Sequence, residues 1–245
     1  DLYDGQWNDD IHHVFHVLLT GETFGYYGDY ADATEAKLSR SLAEGYVYQG
    51  EISPGTGHIR GEPSSRLSPT RFISFLQNHD QIGNRAWGER LSRLTTEEAL
   101  RAAVAVHLLS PQIPLIFMGE EMLSTRPFLF FCDFHDDLAE AVRTGRRREF
   151  GLDEIPDPVD PDTARQCVLT PEDRSDWTDL YRSLLRMRKE ELLPLLPEMQ
   201  SGHIRGGDDV VPLVAWETGK FRWTIAFNLT GRPRKSGPLP AANPL

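Results

Sequence analysis

The sequence predicts an α/β chain, a parallel sheet or (β/α) barrel followed by a short antiparallel β region, and three observations carry that expectation. Two apolar runs of β-forming residues, Arg71–Leu76 and Ile113–Met118, flank a strong helix signal from Glu97 to about Leu109. Strand, helix and strand in that order is the pattern of a parallel sheet. Polar residues follow each run at once, Gln77-Asn78-His79-Asp80 after the first and Gly119-Glu120-Glu121 after the second. The C-terminal ends of barrel strands are where active sites are built. After Gly202 the texture changes: Val210–Trp216 and Phe221–Leu229 alternate about Gly219, as antiparallel strands do.

The elements follow in order. Asp1–Trp7 reads as a strand end and loop, which implies residues upstream. Asn8-Asp9-Asp10 offers short polar caps to a helix over Ile11–Leu19, and Gly21 sits where that helix ends. Asp29 to Ala43 is rich in Ala, Leu and charge and suits a surface helix. Glycines and prolines make residues 50–69 loop. Arg71–Leu76 reads as a buried strand. Thr95-x-x-Glu98 is a capping box for the helix at Glu97, and Pro111 and Pro114 stop that helix before a second buried-type strand. Residues 127–171 read as irregular. Thr170-Pro171 starts a further helix, whose Trp177, Leu180, Tyr181, Leu184, Leu185 and Arg188 share a face. Pro238, Pro240 and Pro244 close the chain. Residues 1–200 are thus expected to form one domain and 201–245 the start of a β domain, too few strands for an independent sandwich.

Composition limits the function. The 245 residues carry a formal charge of −11 and their one dense basic run is Arg146-Arg147-Arg148, which argues against nucleic acid as a partner. No apolar stretch approaches the ~20 residues of a membrane helix. Cys132 and Cys167 share no metal-type spacing and suggest no disulfide framework, as expected in a reducing cytoplasm.

Asn78-His79-Asp80 is the most informative cluster. An ionised carboxylate beside a histidine at a strand end suits gripping sugar hydroxyls and stabilising positive charge on a ring; a polar turn bonding its own backbone explains the same residues. Glu120 and Glu121 project to opposite sides of a strand, so at most one faces the mouth, and both fit a supporting shell. His12 and His16 are spaced to share a metal, but no third ligand accompanies them. Trp7, Asp9, Asp10 and these histidines either line a cleft or belong to a capped helix. Arg146–Arg148 reads as a solvated or salt-bridged face.

Phe72–Arg85, continuing to Gly88-Glu-Arg-Leu91, resembles the last conserved region of the trehalohydrolase branch of the α-amylase superfamily. Gln6–His13 with Leu19–Glu22, Pro114–Glu121, Arg126–Phe131, Gly145–Phe150 and Pro156–Pro158 resemble the same branch in the same order, over most of residues 1–190. The resemblance implies the last three strands, about the sixth to the eighth, of a (β/α)8 barrel. It implies hydrolysis, with retention, of the α-1,4 bond beside a terminal trehalose unit, and malto-oligosyltrehalose or another α-1,4-glucan as the partner. Asp80 matches the transition-state-stabilising carboxylate and His79 the histidine that bonds the sugar. Asn78, Gln77, Trp7, Asp9 and Glu120 are the expected sugar contacts. No metal or organic cofactor is implied. The nucleophile and general acid of that reaction match nothing here and are expected upstream, so the missing N-terminal half is an expected partner. The other expectations are a different α-glucan hydrolase or transglycosylase of the superfamily, or a non-catalytic glucan-binding remnant.

Overall fold

A computed structural model describes residues 3–206, 210–235 and 237. In chain order the elements are β1 (Gln6–Trp7), α1 (Asp9–Thr20), α2 (Thr34–Glu44), β2 (Glu51–Ile52), β3 (Ile59–Arg60), β4 (Phe72–Ser74), α3 (His79–Gly83), α4 (Leu91–Leu94), α5 (Glu97–Leu109), β5 (Ile113–Pro114), α6 (Asp136–Phe150), α7 (Pro161–Gln166), α8 (Ser175–Met187), β6 (His203–Arg205), β7 (Leu213–Glu217) and β8 (Arg222–Ala226). The contacts divide the chain into two compact units. The first holds 1–76, 97–115 and 181–245, and the second holds 77–96 and 116–180.

In the first unit the expected parallel sheet is present, in the order β1-β4-β5, with Trp7 opposite Ile73 and Ile73 opposite Ile113. The buried helix α1 starts where the sequence places it. Asn8 Oδ1 accepts from Ile11 N–H, and Gly21 ends the helix in the left-handed region at φ 73°. The Asn8 amide also donates to Gly45 O at 2.7 Å, tying the end of β1 to the end of α2. Gly45 is required there. Its φ is +102°, and a Cβ would stand 2.3 Å from the Phe72 ring.

The antiparallel region is confirmed and larger than expected, since β6 joins β7 and β8 in one sheet. It lies in the first unit, where Gly202 N–H donates to Ala43 O and Trp223 Nε1 to Leu109 O. Pro238, Pro240 and Pro244 fall outside the described residues.

Several expectations are corrected. Ile113 is 42% exposed, because β5 pairs with β4 on one side and is an outer strand of its sheet among the described residues. The regular strand ends at Pro114, and Glu120 and Glu121 stand in a short 3-10 turn, Glu120–Met122, after Gly119 at φ +90°. The 29–43 segment holds the end of a 3-10 turn and most of α2, whose Leu38, Leu42 and Ala43 are buried. Within 50–69, β2 and β3 form a small hairpin. Thr95 ends α4, and Thr96 is the residue that precedes α5. The last helix begins at Ser175, so Pro171 precedes it; Trp177, Tyr181, Leu184 and Arg188 are buried, whereas Leu185 is 37% exposed.

The largest miss is α6, fifteen residues within a stretch read as irregular. It buries only Ala139, so it lacks the apolar stripe that reveals a helix. Charge holds it instead: Asp136 and Asp137 lie in the first turn and Arg147 and Arg148 in the last, each suited to the helix dipole. Arg143 also reaches Asp157 at 2.9 Å. Among the described residues no helix is long and apolar enough to cross a membrane.

Candidate active site

In the second unit Asn78, 1% exposed, caps the single turn α3 through Oδ1, which accepts from Gln81 N–H at 3.0 Å. Gln77 is buried as well, and its Oε1 accepts from Leu91 N–H at 3.1 Å. The next two residues turn outward. The side chains of His79 and Asp80 are 56% and 58% exposed, and His79 Nε2 lies 3.3 Å from Asp80 Oδ1. The polar-turn reading is met: Gln77 and Asn78 build the turn, and the turn presents His79 and Asp80 to solvent.

Glu120 is buried in the same unit, in the field of Arg90. Arg90 is 1% exposed and was not singled out from the sequence. Its Nε donates to Arg126 O and its Nη1 to Met118 O, and its guanidinium stands 5.2 Å from the centre of the Phe117 ring. Burial pulls its pKa below the usual arginine value, and Glu120 opposes that pull. Glu121 accepts from Gly119 N–H and so shapes the turn. The match of Gly88-Glu-Arg-Leu91 was the available sequence signal for Arg90, and it did not say what the guanidinium binds.

In the first unit, a cleft of about 620 Å3 is lined by Trp7, Asp9, Tyr46, Arg60, Glu62 and Arg66 among others. Trp7 is 38% exposed and packs edge-on against Phe75, with 5.5 Å between ring centres. Burial, with the carboxylates of Asp10 and Asp9, pushes the Tyr46 phenol up to about 12, so it stays a neutral donor at physiological pH. Aromatic faces beside carboxylates and an arginine can stack on a ring and bond hydroxyls.

Asp10 touches this cleft but is mainly a support. It is buried, and its Oδ2 accepts from Val47 and Tyr48 N–H. Its Oδ1 accepts from the Tyr30 hydroxyl and, at 2.9 Å, from Arg60. Arg60 also lies 3.7 Å from the buried Asp29. Asp10→Asn is expected to destabilise the protein by about 2 kcal/mol, since an amide N–H would meet these donors and Arg60 would lose its nearer partner. A shift in the urea unfolding midpoint measures this, and an unchanged midpoint contradicts it.

The histidines of α1 belong to the core. His12 Nδ1 donates to Leu76 O at 2.6 Å and its Nε2 accepts from Tyr27. His16 bonds Glu22 at 2.7 Å and stacks on Tyr27. Burial, with Arg60 and His16, lowers His13 to about 3, although Asp29 opposes the shift. Burial and Arg188 lower His107 to about 4, against its bond to Ser74 O. Unfolding returns both to near 6.5, so between about pH 6.5 and 4 the unfolded chain binds more protons than the folded one. Stability from these two groups is complete above pH 6.5 and falls as the pH drops, by at most about 1.4 kcal/mol per pH unit for each histidine. Unfolding midpoints measured from pH 7 to 4.5 check this; His107→Gln should flatten the slope.

A crystal structure of a candidate α-amylase from Salmonella typhimurium matches with a TM-score of 0.88 at 45% identity, over 93% of this chain and 41% of its own. In fold and sequence this chain is thus similar to an α-amylase over most of its own length. A malto-oligosyltrehalose trehalohydrolase from Saccharolobus solfataricus is 40% identical over 188 residues, 76% of this chain and 33% of the relative. One from Deinococcus radiodurans is 39% identical over 242 residues, 92% of this chain and 40% of the relative. The chain is a homologue of the malto-oligosyltrehalose trehalohydrolases and matches their C-terminal portion. It spans about a third to two-fifths of the length of these curated relatives. No family model matches the sequence.

Proposed function

We propose that this chain is the part of a malto-oligosyltrehalose trehalohydrolase that carries the transition-state-stabilising carboxylate, Asp80. Residues 1–200 supply about the sixth to eighth strands of a (β/α)8 barrel, and 201–245 open a C-terminal β domain. The whole protein hydrolyses the α-1,4 bond beside a terminal trehalose unit and releases trehalose. Asp80 stabilises the positive charge that develops on the ring as the bond breaks, and His79 bonds the same sugar. Gln77, Asn78 and Glu120 are the sugar contacts of this reading in the second unit, and Trp7 and Asp9 those in the first. The nucleophile and general acid, which retention requires only ~5 Å apart, come from elsewhere in the whole protein. This reading calls for no metal or organic cofactor. The free thiols of Cys132 and Cys167 suit a cytoplasmic setting.

The observation that carries this reading is Asp80 itself: a solvent-facing carboxylate on a capped turn, six residues beyond a parallel strand, in a stretch similar to trehalohydrolases. The test is product analysis with malto-oligosyltrehalose and the full-length protein. Trehalose is the expected product. Glucose or maltose instead would assign another α-glucan hydrolase or transglycosylase. The 245-residue chain alone is expected to give no turnover, and sugar binding without cleavage by the full-length protein would mark a non-catalytic glucan binder.

A further inference from the structure

A single helical turn is not stable by itself. The turn that presents Asp80 is α3, five residues long, and side chains hold both its ends. Asn78 caps its start. At its other end Asn84 N–H takes the carbonyl of Asp80 and Arg85 N–H takes that of Ile82. The carbonyl of Gly83, the last residue of the turn, accepts from Arg146 Nη2 at 3.2 Å.

Arg146 is built to stay where it is. Its side chain is only 11% exposed, so of the two readings the sequence offered for this run of arginines, a solvated or a salt-bridged face, Arg146 takes the salt-bridged one. Its guanidinium carbon stands 4.8 Å from the centre of the Phe130 ring and 4.7 Å from that of Phe150. Its Nη1 donates to Glu149 at 2.8 Å. Two aromatic contacts and a carboxylate fix a planar guanidinium in a way a lysine would not reproduce. Arg147 and Arg148, next to it, are exposed.

We propose that Arg146 is a positioning residue for Asp80, holding the C-terminal end of α3 so that the exposed carboxylate keeps its place against the reacting sugar. This rests on the reading of Asp80 as the stabilising carboxylate. Asp80 extends into solvent, so its location depends on the backbone of the turn. A displacement of ~1 Å at a reacting centre can cost about a hundredfold in rate.

The experiment is a double-mutant cycle in the full-length protein, assayed as trehalose release. Arg146→Gln is expected to lower kcat by about 10- to 100-fold with KM nearly unchanged. In the Asp80→Asn background the same change should have little further effect, because a residue acting through Asp80 has nothing left to act on. Arg147→Gln, at an exposed neighbour, should leave kcat within about twofold of the parent, as surface changes do. If Arg146→Gln slows both backgrounds equally, its role is only structural and the proposal is overturned. A kcat unchanged by Arg146→Gln, while Asp80→Asn remains damaging, also overturns it. If Asp80→Asn itself has no effect, the reading of Asp80 fails instead. Should Arg146→Gln fail to fold, the same cycle with Arg146→Lys decides: it keeps the charge but not the planar clamp, and it is expected to give a smaller kcat loss that again vanishes beside Asp80→Asn.

Discussion

Asp80→Asn in the full-length protein is expected to slow trehalose release roughly a thousandfold while leaving KM within a few-fold of the parent. The substitution keeps the size of the side chain, and the cap that holds the turn belongs to Asn78. What it removes is a negative charge aimed at a ring that is neutral in the bound substrate and positive at the transition state. Such an interaction is made mainly as the bond breaks, so its loss falls on kcat. Steady-state kinetics on malto-oligosyltrehalose measure the split. A loss confined to KM would make Asp80 a binding residue only, and an unchanged kcat/KM would remove it from the site.

Arg188→Met is expected to cost about 3–5 kcal/mol of stability, a large share of the 5–15 kcal/mol typical of a domain. The last carbonyls of any helix lack partners within it. At the end of α5 the Arg188 guanidinium supplies them, donating to Leu108 O at 2.9 Å, to Ser110 O, and beyond the helix to Gln112 O at 2.7 Å. Burial lowers the guanidinium to about 10, so it remains charged at neutral pH and suits the negative end of the helix. Methionine fills part of the volume and leaves three carbonyls without their donors. Arg188→Lys should recover less than half of the loss, because one ammonium does not match the geometry of the fork. Urea unfolding of the three proteins gives the comparison; a loss below about 1 kcal/mol for Arg188→Met would mean that water or a backbone shift satisfies these groups.

Much of the architecture was legible because its signals are local. Asn8 and Gly21 bound α1 as their side-chain chemistry requires, and the apolar run around Phe72–Ser74 became a strand of a parallel sheet. The antiparallel pairing of β7 with β8 follows from alternation about Gly219. Helix α6 was not legible, because it is held by charge pairs and a C-terminal glycine cap rather than by a buried stripe. The fate of Ile113 was not legible either, since an outer strand and a central strand can carry the same residues.

The sequence by itself determined the strand–helix–strand order around α5, the helix caps of α1 and the place of Asp80 shortly after an apolar strand, all set by contacts between residues close in the chain. Tertiary structure alone decided what each polar side chain does. Asp10 became a buried acceptor for groups 20 to 50 positions away. Arg188 capped a helix some 80 positions earlier, and Arg146 gripped the turn of Asp80 from 63 positions away. A charged group taken out of water must find partners, and partners that distant in the chain exist only once the fold has brought them together.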